Sequence, residues 1–184
     1  MEETCERRRG VRSAAAAIAL GSALLACSPV FDWRETRPEG SGAVAMFPCR
    51  PVKQERSVRI GAAVLPMQLH SCRAGDTLFL IAAVDVADPA EVTPRLAEFR
   101  AQALVNLGAA SGGEAAPIAV AGATPNPQSG RLGIVAARPD GRRVGAQAAF
   151  FVKGLRLYQA TVLAADGSPG RDVVDTFFGA IRLP

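Results

Sequence analysis

An apolar run that ends at a cysteine dominates the start of the sequence. Four arginines lie between Arg7 and Arg12, and the apolar run from Ala14 to Ala26 that follows them is 13 residues long. A helix needs about 20 apolar residues to span a bilayer comfortably, so this run is too short. A charged stretch before a short apolar run is typical of an export signal peptide. We therefore expect residues 1–26 to be cleaved and to contribute nothing to the fold.

The end of this run matches the bacterial lipobox, Leu24-Leu25-Ala26-Cys27. The small Ala26 suits a signal peptidase, and the thiol of Cys27 would carry a diacylglyceryl group. Two or more acyl chains hold a protein stably on a membrane, whereas one chain holds it only marginally. Ser28 favours the outer membrane over the inner membrane. The pattern predicts a lipoprotein on the periplasmic side of the envelope; an uncleaved anchor and an ordinary secretory signal are the alternatives.

We expect the remaining chain to form a lipidated tether over residues 27–42 and a single domain over residues 43–184.

The full chain of 184 residues has a formal net charge of +4, which falls to +3 without the four arginines and three glutamates of the leader. The positive charge is dispersed, and Arg142-Arg143 is the one adjacent basic pair after the leader. Without a basic stripe carrying interleaved aromatics, the sequence argues against a nucleic-acid partner.

The four cysteines have separate expected roles. Cys5 is discarded with the leader and Cys27 is lipidated, so Cys49 and Cys72 remain as an even pair in an oxidising compartment. A hairpin turn at Ile60-Gly61 would oppose Cys49 to Cys72, although Pro51 argues against an unbroken strand and a bulge would shift the register. The sequence predicts a Cys49–Cys72 disulfide. A metal site is disfavoured, because the chain has one histidine and no CxxC motif.

Hydrophobic periodicity predicts an α+β domain in which helices pack on an antiparallel β-sheet. Thr77 to Val84 is apolar at nearly every position and is expected to be a central strand. Asp88-Pro89 starts a helix that ends at Gly108, and Ser168-Pro169 starts the last helix. The other predicted strands are 43–47, 56–60, 62–72, 118–121, 132–137, 144–152 and 155–163.

Three segments resemble the PsbP/Mog superfamily. They are the opening AVAMFPCRP, the helix before Gly108 and the ending LYQATVLAADGSPGRDVVDTFFGAIRLP. The Asp32-Trp33-Arg34-Glu35 segment is similar to the opening of small bacterial lipoproteins of this group, so the resemblance covers residues 31–184. It implies a closed α/β/α sandwich. It also implies a binding or assembly role, as for an extrinsic subunit of the oxygen-evolving complex or a partner of a small GTPase. The family has no shared catalytic motif, so no site residue is transferred.

Few residues qualify as candidates for chemistry. His70 shares the strand phase of Gln68, which favours an exposed strand position over a base or ligand. Asp85 ends a buried strand and is the best candidate for a functional carboxylate, since a turn explains Asp76 and a helix cap explains Asp88. The sequence contains no GxSxG motif and no phosphate-binding loop, so we expect no catalytic residues, cofactor or metal.

Two functions are consistent with these observations. The first is a non-enzymatic binding or assembly module, anchored by the lipid on Cys27, with an envelope protein as its partner. The second is a small-ligand carrier or an enzyme, which requires a pocket where Asp85, His70 and Tyr158 converge. Placement of these three residues on separate surfaces would remove the main support for the second function.

The lipid anchor is testable by substitution. Cys27→Ser is expected to release the protein from membrane fractions or to stall its maturation, because serine has no thiol to carry the diacylglyceryl group. Fractionation and immunoblotting of cells measure both effects, and Cys5→Ser, in the leader, serves as the control. Unchanged lipidation in Cys27→Ser would refute the lipobox interpretation.

Overall fold

The computed structural model describes residues 30–108, 115–137 and 141–184. The leader and Cys27 lie outside this part of the chain. No helix in the described part is long and apolar enough to cross a membrane.

A six-stranded sheet, in which all neighbouring strands are antiparallel, forms the centre of the domain. Its order is β3-β4-β5-β8-β7-β6. The strands are β3 (Val52–Ile60), β4 (Ala63–Ala74), β5 (Thr77–Asp85), β6 (Gly130–Ala137), β7 (Arg143–Lys153) and β8 (Arg156–Ala164). Two short strands, β1 (Arg34–Thr36) and β2 (Ala45–Phe47), form a separate antiparallel ribbon. The expected α+β class with an antiparallel sheet is confirmed.

Both faces of the sheet are covered. Helix α1 (Val92–Asn106) packs Leu96 and Phe99 on one side, here called the α1 face. The β1–β2 ribbon, helix α2 (Arg171–Gly179) and the C-terminus cover the other side, here called the ribbon face. The rings of Phe47 and Phe79 each lie 5.4 Å from the ring of Phe177 in α2. The domain is thus a three-layer sandwich with the sheet in the middle.

Local sequence signals account for β5 and the start of α1. Phe79 and Ile81 enter the ribbon-face core, while Ala82 and Val84 enter the α1-face core, so β5 is apolar on both sides. The Asp88 carboxylate accepts a hydrogen bond from the backbone N–H of Ala90 at 2.8 Å. This cap opens a short 3-10 turn, Pro89–Glu91, and α1 follows directly.

The β3–β4 hairpin has a different register from the predicted one. Its turn is Gly61-Ala62 rather than Ile60-Gly61, and Ile60 pairs with Ala63. Gly61 has φ +56°, which favours glycine at this position. The paired residue numbers therefore sum to 123 and not to 121. Cys49 and Cys72 are not opposed within the ladder.

The predicted disulfide between Cys49 and Cys72 is nevertheless present. Strand β3 begins at Val52, so Cys49 lies in the connection from β2, ahead of Pro51. This connection is free of the ladder and brings the two Cα atoms to 5.9 Å. The bridge joins the end of the ribbon to the sheet.

The predicted tether, residues 27–42, is shorter than expected, because residues 31–42 belong to the domain. The rings of Phe31 and Trp33 lie 6.0 and 5.5 Å from the ring of Phe79. Strand β1 pairs with β2, and Ser41 is fully buried. The apolar ring surface of Phe31 and Trp33 outweighs the polar composition of this segment, because it covers core residues that would otherwise meet water.

Two smaller predictions were wrong. Residues 118–121 form no strand; Ala121 makes one isolated bridge, to Arg182. Helix α2 has Gly170 at its N-cap instead of Ser168. The Gly and Pro residues around both segments favour irregular backbone over the regular elements inferred from short apolar runs.

Loss of the disulfide should weaken the domain measurably. Replacement of both Cys49 and Cys72 by alanine is expected to lower the free energy of unfolding by about 3 kcal/mol, because the unfolded chain regains the freedom of the closed loop. Urea denaturation monitored by circular dichroism measures the change. The unsubstituted protein in reductant should show the same loss, and a loss well below 1 kcal/mol in both samples would contradict the role of the bridge.

Candidate functional site

The three candidate residues lie on the same face of the sheet. In the strand register His70 pairs with Ile81, Tyr158 pairs with Ala83, and Asp85 pairs with Arg156. Ile81 and Ala83 belong to the ribbon-face core, so side chains in phase with them project to the ribbon face. Asp85, His70 and Tyr158 therefore share one face of the sheet, and the contacts of each side chain show what it does there.

Asp85 forms a bidentate ion pair with Arg156 on the neighbouring strand. Arg156 donates from Nε and Nη2 to the two carboxylate oxygens, both at 2.6 Å. The hydrogen bonds to Arg156 lower the pKa of Asp85, against a smaller opposing effect of burial. The Nη1 atom of Arg156 donates to the backbone carbonyl of Gly40 at 2.6 Å. Asp85 thus orients a guanidinium that binds the chain before β2.

Tyr158 makes a second contact with the same segment. Its ring is buried and stacks on Phe151 with centroids 5.3 Å apart. Its hydroxyl donates to the backbone carbonyl of Ser41 at 2.9 Å. Burial raises the pKa of Tyr158, so the hydroxyl keeps its proton and remains a donor at neutral pH.

Residues 38–42, here called the latch loop, fit closely over these side chains. The Ser41 hydroxyl donates to the carbonyl of Pro38 at 2.7 Å and accepts from the N–H of Ala43 at 3.1 Å. Gly40 and Gly42 have φ of +75° and +69°. A Cβ at Gly40 would lie 2.9 Å from Oε1 of Gln68. The loop therefore approaches the sheet as closely as it does because its glycines carry no side chain.

His70 is buried, which corrects the expectation of an exposed strand position. Only 2% of its surface is accessible. His70 and Gln68 lie on the same side of β4, as predicted. Residues 31–42, which the sequence predicted to be part of a tether, cover that side. Burial, followed by the nearby charge of Lys53, lowers the pKa of His70, against a smaller opposing effect of the Glu39 backbone and carboxylate. Its Nε2 atom has no hydrogen-bond partner among the described residues.

This cluster holds the latch loop in place. The carboxylate of Asp85, the guanidinium of Arg156 and the hydroxyl of Tyr158 all make hydrogen bonds inside the domain. The buried carbonyl of Ser41 needs a donor, and Tyr158 supplies it; Arg156 adds a second, exposed hydrogen bond to Gly40. Within the described ranges, no three or more His, Cys, Asp or Glu side chains are grouped to bind a metal ion.

A second candidate site, which the sequence did not reveal, is an apolar groove on the α1 face. It has a volume of about 190 Å³ and lies between α1 and the sheet. Arg56 is the one charged residue among the described residues that line it. Six of its apolar lining residues are Met67, Leu69, Leu78, Leu80, Ala103 and Leu163.

The groove exists because α1 does not cover the whole α1 face. The helix ends at Asn106, and Ala103 is its small residue above the sheet. Leu78, Leu80 and Leu163 consequently remain only partly buried. The sequence signal for the groove was Ala103, a small residue in a helical stripe whose other apolar side chains are large. A second signal was β5, a strand that is apolar on both faces.

Acidification is expected to reduce stability in a step that depends on His70, the only histidine of the chain. Its pKa is lowered in the folded state, so the unfolded chain takes up a proton first as pH falls below about 6.5. The stabilisation is therefore complete above that pH and is lost below it. Urea denaturation at pH 7.5 and pH 5.5 should show a difference that His70→Gln removes. An equal difference in both proteins would contradict the assignment.

Asp85 should control a separate step at lower pH. Its lowered pKa means that its stabilisation is present above the ordinary aspartate pKa, about 3.9, and is lost as pH falls through the folded value. Asp85→Asn should flatten the stability profile below pH 4 and leave the step near pH 6 unchanged. Asp172→Asn, at an exposed position of α2, is the matched control.

Comparisons with known proteins do not identify a family. No protein-family model matches the sequence, and no curated protein or solved structure shows significant similarity to the chain. The function is therefore inferred from the groove and from the geometry of Asp85, Arg156 and Tyr158, here called the latch cluster.

Proposed function

We propose that the protein is a lipoprotein anchored through Cys27 on the periplasmic side of a bacterial membrane, favouring the outer membrane, where it acts as a non-enzymatic binding or assembly module. The observation that carries the non-enzymatic part is the latch cluster. Its candidate catalytic groups, Asp85 and Tyr158, are committed to the contacts that hold residues 38–42. The export signal and the lipobox support the location.

We further propose that the domain is a PsbP/Mog-like sandwich. The three-layer arrangement supports this, because helices lie on both faces of an antiparallel sheet. The implied family role, binding or assembly without a shared catalytic motif, agrees with a cluster that serves the fold.

The anchor would place one end of the domain close to the membrane. Val30 approaches the β4–β5 turn, where a Cβ on Gly75 would lie 3.1 Å from its Cγ1 atom. Cys27 is three residues before Val30, and three residues reach at most about 11 Å. The end of the domain that carries the β4–β5 turn, here called the anchor end, would then face the lipid headgroups.

A small-ligand carrier is the second candidate function, and the groove is the observation that favours it. Its lining is apolar with few polar groups, as in many ligand sites. A carrier of this kind would use the α1 face instead of the residues Asp85, His70 and Tyr158.

Crosslinking in cells tests the proposed function. Crosslinking followed by purification and mass spectrometry is expected to recover a specific envelope protein with roughly tenfold enrichment over the Cys27→Ser control, because the anchor concentrates the domain beside its partner. Val135→Gln, which alters an exposed apolar residue of β6, controls for nonspecific capture. Equal recovery with Cys27→Ser, or no specific partner, would contradict the proposal.

A further inference from the structure

We propose that the groove on the α1 face binds one acyl chain of a phospholipid from the membrane that carries the protein. The choice of a membrane lipid rests on the proposed anchoring. The groove as an acyl-chain site rests on its own lining, size and position. It is separate from the latch cluster, which lies on the opposite face of the sheet.

The lining suits an alkyl chain. The polar side chains at the groove bond to one another: Gln159 donates to the hydroxyl of Thr161 at 3.0 Å, and Gln102 donates to the side chain of Asn106 at 3.0 Å. The remaining surface is leucine, methionine, valine, phenylalanine and alanine, apart from Arg56. A ligand inside would therefore meet few unpaired polar groups, and an apolar chain would gain most from leaving water.

The size limits the ligand to something narrow. An apolar cavity of about 150 Å³ accommodates benzene, and sites for drug-sized ligands measure about 300–1,000 Å³. The groove, at about 190 Å³, lies between these values. It fits a segment of a single acyl chain better than a nucleotide, a sugar or a ring-based cofactor.

The groove reaches the anchor end of the domain. Leu78 of β5 pairs with Leu163 of β8. Leu78 follows Thr77, the first residue of β5 after the β4–β5 turn. Leu107 and Leu163 line both the groove and a neighbouring cleft that includes Arg73. A lipid at the surface of the membrane would thus meet the apolar lining without crossing the domain.

Arg73 provides a partner for the phosphate of such a lipid. It pairs with Leu78 in the ladder and is exposed. Its guanidinium contacts the backbone carbonyl of Asp76 at a long 3.4 Å, and no salt bridge to it occurs within the described residues. A cation at the mouth of an apolar groove complements an amphiphile with a phosphate head and an alkyl tail.

The protein's own lipid is a poorer occupant. Phe31 and Trp33 fix the N-terminal segment to the ribbon face, on the side of the sheet opposite the groove. Because Val30 lies beside Gly75 at the anchor end, chains attached at Cys27 would start at the membrane surface, where the bilayer is their nearest apolar environment. A phospholipid supplied in trans reaches the α1 face without this restriction.

The experiment uses the full mature lipoprotein in vesicles of phosphatidylethanolamine and phosphatidylglycerol. The vesicles contain a tracer phospholipid with a diazirine at the end of one acyl chain. After irradiation, proteolysis and mass spectrometry locate the label. We expect it on residues 77–82 of β5, residues 102–106 of α1 and Leu107, which follows α1.

Matched variants identify the parts of the site. Leu80→Gln should reduce labelling of the groove by roughly fivefold, because an amide would be buried without a partner beside the chain. Val135→Gln, on β6 outside the groove, should not. Arg73→Gln should reduce labelling by about threefold through loss of the phosphate partner, whereas Arg59→Gln near the far end of β3 should not. Circular dichroism and thiol alkylation verify the fold of each variant.

The outcomes separate the groove from the anchor. Flotation with the vesicles reports anchoring, and the position of the label reports the groove. Label confined to the region of residues 28–33, or equal labelling in Leu80→Gln, would overturn the groove proposal even when the protein floats. If the protein does not float, the anchor proposal fails. The groove proposal is then tested with the Cys27→Ser chain and the fluorescent fatty acid 11-(dansylamino)undecanoic acid. An increase in fluorescence that Leu80→Gln abolishes supports the groove proposal. No increase in fluorescence overturns it.

Discussion

Burial of the ribbon face depends on the N-terminal segment lying across it. The face carries large apolar side chains, including Phe79 and Tyr158, which would meet water without this cover. Covering them with a loop also buries the carbonyl of Ser41, and a buried carbonyl needs a donor, which Tyr158 supplies. Arg156 donates to the carbonyl of Gly40 at the exposed edge of the loop. The polar cluster thus fixes the loop at one buried and one exposed point.

Features that depend on local sequence were predictable. The doubly apolar strand β5, the cap at Asp88 and the α+β class follow from composition and periodicity over short windows. The predicted hairpin register was wrong. The turn lies one residue later than predicted, so every residue of β3 pairs with a residue of β4 two positions further along the chain. The disulfide was correct despite this, since Cys49 lies in a connection that the ladder does not constrain.

The role of a residue was harder to predict than its placement. Strand phase correctly placed His70 and Gln68 on the same side of β4, but periodicity does not say what covers that side. A polar, turn-rich segment gave little indication that it would pack on this face, where the backbone of Glu39 makes a hydrogen bond with the buried His70. The groove was missed for a similar reason. It depends on where α1 ends above the sheet and on the small size of Ala103, and neither follows from the helical pattern.

The Cys49–Cys72 bridge has a mechanical consequence for a domain suspended from its N-terminus. A pull directed from the anchor would pass through β1, the latch loop and β2 before it reaches the sheet. Hydrogen bonds and ring contacts would bear the first part of this load and could yield one after another. The path ends at the covalent bridge to Cys72 in β4, so the successive breaking of contacts would stop there. The load would then enter the sheet at Cys72, and residues 50–71, which the bridge bypasses, would be shielded from tension when the envelope deforms.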